Sequence, residues 1–232
     1  MKIHYYFGWF NGIIPTEVAQ ALNDDIPCKQ SLVIISSIPS DFEYTDKMVA
    51  FAKDTWFEPA GIVFSKYFSI DRRTEKALAH ELLQNASAIL LHGGNPVLLN
   101  KFLHDYELPE AIKNSNASVI MGASAGGMNM GVKWVNRRAE VPEVCDGLGL
   151  DDFAVNSHVI FENAEALSSD EYTANHLMPL SDELDVYVAC EESTIRIKNG
   201  KLDSMGYVYL ISNSKIQKLN ETLPRGAGRE IK

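Results

Sequence analysis

The run Val119-Ile120-Met121-Gly122-Ala123-Ser124-Ala125-Gly126-Gly127-Met128 passes from apolar residues into glycines around a single serine. Val119 to Met121 predict a short buried strand. Gly122 to Gly126 fit the pattern G-x-S-x-G, and the Gly-, Ala- and Met-rich residues after them can start a helix. Strand, sharp turn and helix with serine at the bend make a nucleophile elbow. The glycines supply room, because a Cβ two residues before or after the serine would clash in so tight a bend. The hydroxyl is then offered at the carboxyl end of the strand, and the Ala125 N–H faces the place where an oxyanion would form. A Gly/Ala turn for close helix–sheet packing fits the same five residues, so the chemical reading depends on partners elsewhere in the chain.

Upstream of the elbow, strands alternate with helices. Ile3 to Phe7, Ser31 to Ile35, Phe64 to Ile70 and Ala88 to Leu91 read as strands. Between them the spacing predicts a helix capped by Thr16, one over Thr45 to Phe57, and one capped by Asp71 with Leu78, Ala79, Leu82 and Leu83 on its inner face. Val97 to Tyr106 is a further helix. This alternation implies βαβ units and a mostly parallel sheet with helices on both faces, an α/β fold in three layers. In such a sheet the active site lies at the carboxyl ends of the strands. Two glycine turns fall there, one after Leu91 and one after Met121. Downstream, Phe153 to His158, Val186 to Cys190, Thr194 to Lys198 and Tyr207 to Ile211 are strands, with Asn199-Gly200 a hairpin turn to Lys201-Leu202. The last three predict an antiparallel extension of the sheet. No linker divides the chain, so residues 1–223 are expected to form one domain and residues 224–232 a mobile tail.

The chain has 232 residues, 46% of them hydrophobic and 22% charged, enough apolar material for a sizeable core. Its 21 basic and 31 acidic side chains leave a formal charge of −10, which argues against nucleic acid and anionic membranes as partners. Cys28, Cys145 and Cys190 are too far apart for a metal motif and odd in number for a disulfide framework. A reducing, cytoplasmic setting is expected. No metal or organic cofactor is called for, and a homo-oligomer is left open.

A serine hydroxyl needs a base, and the base an orienting acid. His158 ends a largely apolar strand, and His92 precedes the Gly93-Gly94 turn; both are candidates. Glu191 and Glu192 follow the strand Val186 to Cys190, and Glu140 lies between the elbow and His158. All three are candidate acids. Gly93-Gly94-Asn95 before a helix offers successive backbone N–H groups, an anion-binding concavity that can complete an oxyanion hole beside Ala125.

The ordered set of a Gly-Gly-Asn turn, Gly-Ala-Ser-Ala-Gly-Gly, and Gly147-Leu148-Gly149-Leu150-Asp151-Asp152-Phe153-Ala154-Val155-Asn156-Ser157-His158 resembles the peptidase E (aspartyl dipeptidase) and cyanophycinase family. The resemblance covers roughly Ile3 to Leu210. It implies a serine-type peptidase on a class I glutamine-amidotransferase-like, flavodoxin-like fold, acting on a small peptide or amide. By position, Ser124 matches the nucleophile, His158 the histidine and Glu191 the acid. Glu192 is second choice, and Glu140 matches another acid that could serve the charge relay. Gly94 and Ala125 match the oxyanion donors, and Asn95 a residue near the substrate. His92 and Gly93 stand beside it. The family's Gly-Gly-Gly-Asn-Thr is here His92-Gly93-Gly94-Asn95-Pro96, and its Asn-Pro-His is Asn156-Ser157-His158. The basic segment that follows the histidine in the dipeptidases is absent. The same scaffold can also serve as a non-catalytic ligand-binding or interaction protein.

Selecting an N-terminal aspartate takes a cation in a desolvated pocket. From Ala139 to Ile195 there is no Arg or Lys, while Asp151, Asp152, Glu162, Glu165, Asp170 and Glu171 are all acidic. This predicts negative potential around His158 and neutral or cationic substrates. Arg137 and Arg138 stand just outside the gap.

Overall fold

Four strands of the first half run into glycine- or serine-containing turns, after Phe7, Ile35, Leu91 and Ala123, and those turns share one edge of a sheet. The structure, a computed structural model, describes residues 2–137, 139–140, 142–159, 164–219 and 229–230, with only the backbone at 158, 159, 229 and 230. The chain order is β1 (Ile3–Phe7), α1 (Thr16–Asp25), β2 (Ser31–Ile35), α2 (Phe42–Phe51), β3 (Lys66–Ile70), α3 (Lys76–Gln84), β4 (Ala88–Leu91), α4 (Pro96–Asp105), α5 (Leu108–Lys113) and β5 (Val119–Ala123). Then follow α6 (Ala125–Met130), β6 (Lys133–Asn136), β7 (Glu143–Asp146), β8 (Ala154–Val159), α7 (Ala164–Ser169), α8 (Met178–Leu180), β9 (Val186–Cys190), β10 (Thr194–Lys198), β11 (Lys201–Met205), β12 (Val208–Ser212), β13 (Lys215–Lys218) and β14 (Arg229–Glu230). Helix α2 continues into a wider, π-helical coil over Ala52–Phe57.

The central sheet has the order β14-β11-β10-β1-β5-β4-β2-β3. Strands β1 to β5 within it pair in parallel, while β10 and β11 extend it antiparallel. Alternation of side chains sorts its core. Tyr5, Phe7, Leu32, Ile34, Leu90 and Met121 point to one face, against Val18 and Leu22 of α1 and Trp56 and Phe57 beyond α2. Tyr6, Val33, Ile35, Ile89, Leu91 and Ile120 point to the other, against Leu83, Leu99, Phe102 and Ile112. Strands buried on both faces read as unbroken apolar runs, which is why β2, β4 and β5 are legible in the sequence.

The single extended sheet expected from the sequence is corrected here. Strands β9 and β12 do not join β10; they form a second sheet of order β13-β12-β9-β8-β6-β7. Its inner face packs on the β1–β10 half of the central sheet, with Tyr6 and Phe153 ring centroids 5.2 Å apart and Phe153 and Tyr187 4.8 Å apart. Its outer face is covered by Leu167 of α7 and by Leu177 and Leu180. Alternation along β9 alone does not say which of two sheets receives it. Strands β6, β7 and β13 were not foreseen, being short and mixed in polarity.

Several local expectations shift. Thr16 opens α1 with no side-chain cap, and Asp41 caps α2 by accepting from Tyr44 N. Helix α3 starts at Lys76, because Asp71 instead closes the preceding turn onto Arg73 N, 2.8 Å. Leu78 is 46% exposed, so only part of the expected inner face is inner. The turn Asn199-Gly200 has positive φ at both residues, 54° and 70°, as a tight hairpin requires. Of the expected tail, residues 224–228, 231 and 232 lie outside the described residues; the backbone at 229 and 230 pairs with β11.

Candidate active site

Strand β5 ends at Ala123, and Ser124 takes φ 50° and ψ −113°, a conformation unfavourable for any residue with a Cβ. Its N–H bonds the Phe7 carbonyl at the end of β1, 3.1 Å, and its own carbonyl accepts from Met128 in α6, 2.9 Å. The glycines flanking it are required by space. A Cβ at Gly126 would lie 1.9 Å from the Leu91 carbonyl oxygen, and one at Gly122 2.6 Å from the Gly127 nitrogen. The elbow helix therefore lies almost on the backbone of β4.

Ser124 opens onto a cleft of about 560 Å³ lined by Trp9, Tyr44, Met48, Gly93, Gly94, Pro96, Ser124, Ala125, Met128, Val135 and Arg137. The Ala125 N–H, in the first turn of α6, and the Gly94 N–H meet no acceptor among the described residues. Both glycine turns thus open to one cleft. They are joined by Asn129, which is fully buried. Its side-chain amide donates to the Pro96 carbonyl, 3.1 Å, and the Ala125 carbonyl, 3.0 Å, while its oxygen accepts from Asn100, 2.9 Å.

His158 belongs to β8, which runs parallel to β9. Ser157 pairs with Ala189 and Val159 with Cys190, so the register shifts across His158. The same pairing carries Glu191, the residue after Cys190, to the same end of the sheet. The His158 side chain lies outside the described residues. The Glu191–Glu192 turn is tied to the loop after β1. Glu192 N–H donates to the Trp9 carbonyl, 2.8 Å. Asn11 donates through its backbone to Glu192, 2.8 Å, and through its side chain to Glu191, 3.1 Å. Glu140 is exposed on the loop after β6 and does not line the cleft.

His92 does not line the cleft, contrary to expectation. It is 1% exposed, stacked on Trp56 at 5.7 Å with Trp9 edge-on at 5.6 Å. Burial pushes its imidazole down to about 4, against a small opposing effect of its bond to the Gly93 carbonyl. Asn95 spends its side-chain oxygen capping α4, accepting from Val97 and Leu98 N–H. Gly93 and Gly94 do line the cleft.

Arg137 lines the cleft, its guanidinium 4.1 Å from the Tyr172 ring centre. Two of the acids expected around His158 are engaged elsewhere: Asp151 bonds His4, 2.7 Å, and Tyr6, and Asp170 accepts from Thr173. Glu162 lies outside the described residues. Sequence reasoning missed Trp9, Tyr44, Met48 and Asn129, since none sits in a motif; a polar residue five positions after the elbow serine was the only local signal for Asn129.

A peptidase E from Nostoc sp. is 26% identical over 137 residues, which is 55% of this chain and 56% of that protein. The chain thus aligns with little more than half of that relative's length. The crystal structure of a peptidase from an acI-B1 Actinobacterium superposes with a TM-score of 0.73 at 16% identity, covering 100% of this chain and 97% of the other. A Listeria monocytogenes protein assigned to peptidase E superposes with a TM-score of 0.60 at 16% identity, over 88% and 98%. These likenesses show a shared mixed α/β fold. The sequence model of peptidase family S51 matches residues 36–205, from the end of β2 through the elbow to β11, and the chain belongs to that family.

Proposed function

We propose that this chain is a serine-type peptidase or amidase that cleaves a small peptide or amide through an acyl-enzyme on Ser124, on a class I glutamine-amidotransferase-like scaffold. The observation that carries this reading is the elbow: Ser124 at φ 50° opens to a cleft with the Ala125 and Gly94 N–H groups free of other acceptors among the described residues. The hydroxyl oxygen attacks the scissile carbonyl while His158 takes its proton. The two N–H groups receive the charge that moves onto the carbonyl oxygen. His158 then hands the proton to the leaving amine, and the tetrahedral intermediate collapses to the ester. Water attacks that ester with His158 again as base, releasing the acid and restoring the serine. Glu191, carried by β9 to the end of the sheet where His158 sits on β8, orients the imidazole and stabilises its cation.

The cleft walls suit a small substrate with apolar groups, since Trp9, Met48, Pro96, Met128 and Val135 form most of them. The test is a dipeptide and amide library assayed with the wild type and with Ser124→Ala, alongside a serine-directed phosphonate. Turnover lost in the variant, with stoichiometric phosphonylation of Ser124 in the wild type, is the expected result. Full turnover by Ser124→Ala, or a wild type that is neither labelled nor active, overturns the proposal.

A further inference from the structure

The Gly93 carbonyl is held by three side chains from three different segments. Ser37, in the loop after β2, donates its hydroxyl to that oxygen. Tyr44, in the first turn of α2, donates its phenol at 2.8 Å. His92 Nδ1 lies 3.1 Å from it. A carbonyl oxygen has two lone pairs, so three donors saturate it.

His92 fits this arrangement as a neutral donor. With the proton on Nδ1, the bare nitrogen is Nε2, and Nε2 has no partner among the described residues. It faces the aromatic packing of Trp56 and Trp9, where an unpartnered lone pair is less costly than a charged ring. Besides His92, the side chains bonded to this oxygen among the described residues are the two hydroxyls of Ser37 and Tyr44.

The space around the turn is equally specified. Gly94 has φ 136°, a region closed to residues with a Cβ. A Cβ there would meet Ser37 Oγ at 2.3 Å and the Tyr44 hydroxyl at 2.6 Å. In a planar trans peptide the C=O of Gly93 and the N–H of Gly94 point opposite ways. An oxygen locked onto the Ser37–Tyr44–His92 side leaves the N–H no freedom to turn inward, and that N–H has no acceptor among the described residues.

We propose that Ser37, Tyr44 and His92 are positioning residues that lock the Gly93–Gly94 peptide so that the Gly94 N–H stands preset toward the cleft as an oxyanion donor. This rests on the acyl-transfer reading of the cleft. The three bonds also polarise the peptide, which strengthens its N–H as a donor. Preset donors are what make such sites effective, because no dipole has to reorient as charge develops. Tyr44 borders the cleft as well, so its ring is kept in the test.

The experiment uses Tyr44→Phe, Ser37→Ala and the double variant of the full chain. Each is assayed on the best substrate of the wild type, and the double variant is also crystallised. The double variant is expected to lose roughly 100-fold in kcat with KM changed less than about 2-fold. A peptide boronate, which mimics the tetrahedral state, should bind weaker by a similar factor. Substrate binding measured in a Ser124→Ala background should be unchanged. The crystal should show the Gly93–Gly94 peptide rotated. An unrotated peptide with unchanged kcat overturns the proposal, as does a rise in KM that accounts for the whole loss. Should the wild type prove inactive and unlabelled by phosphonate, the acyl-transfer reading falls. The orientation of the peptide in the double variant then still decides whether the three side chains hold it.

Discussion

Asn129 reaches from the elbow helix to the Pro96 carbonyl, 3.1 Å away, and so ties the two glycine turns of the cleft together. The same amide holds the Ala125 carbonyl one turn back in its own helix. Replacing it by alanine leaves Asn100 Nδ2 with the Asp146 carbonyl alone and takes a buried donor from the Pro96 and Ala125 carbonyls. We expect Asn129→Ala to lower unfolding free energy by about 2–4 kcal/mol in urea titration. Turnover should fall at temperatures where the variant is still folded. A variant with unchanged stability and rate would show that the two turns hold their spacing without it.

The backbone strain at Ser124 separates two otherwise similar substitutions. Both Ser124→Ala and Ser124→Gly remove the hydroxyl, but only glycine tolerates φ 50° and ψ −113° without cost. Ser124→Gly should be the more stable of the two by about 1 kcal/mol or more, read as a higher Tm. Equal Tm values would mean that the bend carries no strain.

His92 makes stability depend on pH. Its folded value is about 4, below the ordinary value of 6.5, because burial disfavours the charged ring. Between those values the unfolded chain binds a proton that the folded chain does not, so stability rises with pH there. The contribution is fully present above about pH 6.5 and is lost progressively as pH falls toward 4, on the order of 3 kcal/mol. Urea midpoints measured from pH 4 to pH 8 should show this slope, and His92→Phe should flatten it. A wild-type slope retained in that variant would assign it to other groups.

Asp25 is buried at the end of α1 beneath Arg196 Nε (2.7 Å), Lys198 Nζ (2.8 Å) and the Tyr5 hydroxyl (2.6 Å). Burial raises its carboxyl, but the bonds from Arg196, Lys198 and Tyr5 outweigh it and hold the group below its ordinary value. Asp25→Ala strands a half-buried guanidinium beside an unpaired phenol. A loss of about 3–5 kcal/mol is expected in chemical denaturation, with no effect on the catalytic rate of the folded fraction. A loss under about 1 kcal/mol would mark the network as solvated.

Arg137 is the one charged side chain among the described residues lining the cleft. Arg137→Gln should lower kcat/KM for Asp-Leu relative to Ala-Leu by roughly 10-fold, about 1.4 kcal/mol, with Lys-Leu rising or unchanged. A ratio untouched by the substitution would place the guanidinium out of reach of the substrate.

The elbow was legible in the chain because the residues that announce it are consecutive. An apolar run, a serine between glycines and a helix start occupy ten consecutive residues, and the clash that demands Gly122 arises within that strand–turn–helix unit, whereas Gly126 is demanded by the Leu91 backbone of β4. Parallel pairing of β2, β4 and β5 was legible for a related reason: strands buried on both faces have no polar alternation to confuse them. The cleft around Ser124 was not legible in the same way. Trp9, Arg137 and the α2 residues Tyr44 and Met48 come from three separate segments, and nothing in the spacing of any one of them points at the serine. His92 stood in the right turn and was still misplaced, because a side chain one residue from the cleft can rotate into aromatic packing that only the folded chain assembles. The second sheet was hidden for the same cause. Strand β9 has the apolar period of a sheet strand, but its partner is chosen by Phe153, Tyr187 and Tyr6 meeting across two layers, and a choice between distant partners is made by tertiary packing alone.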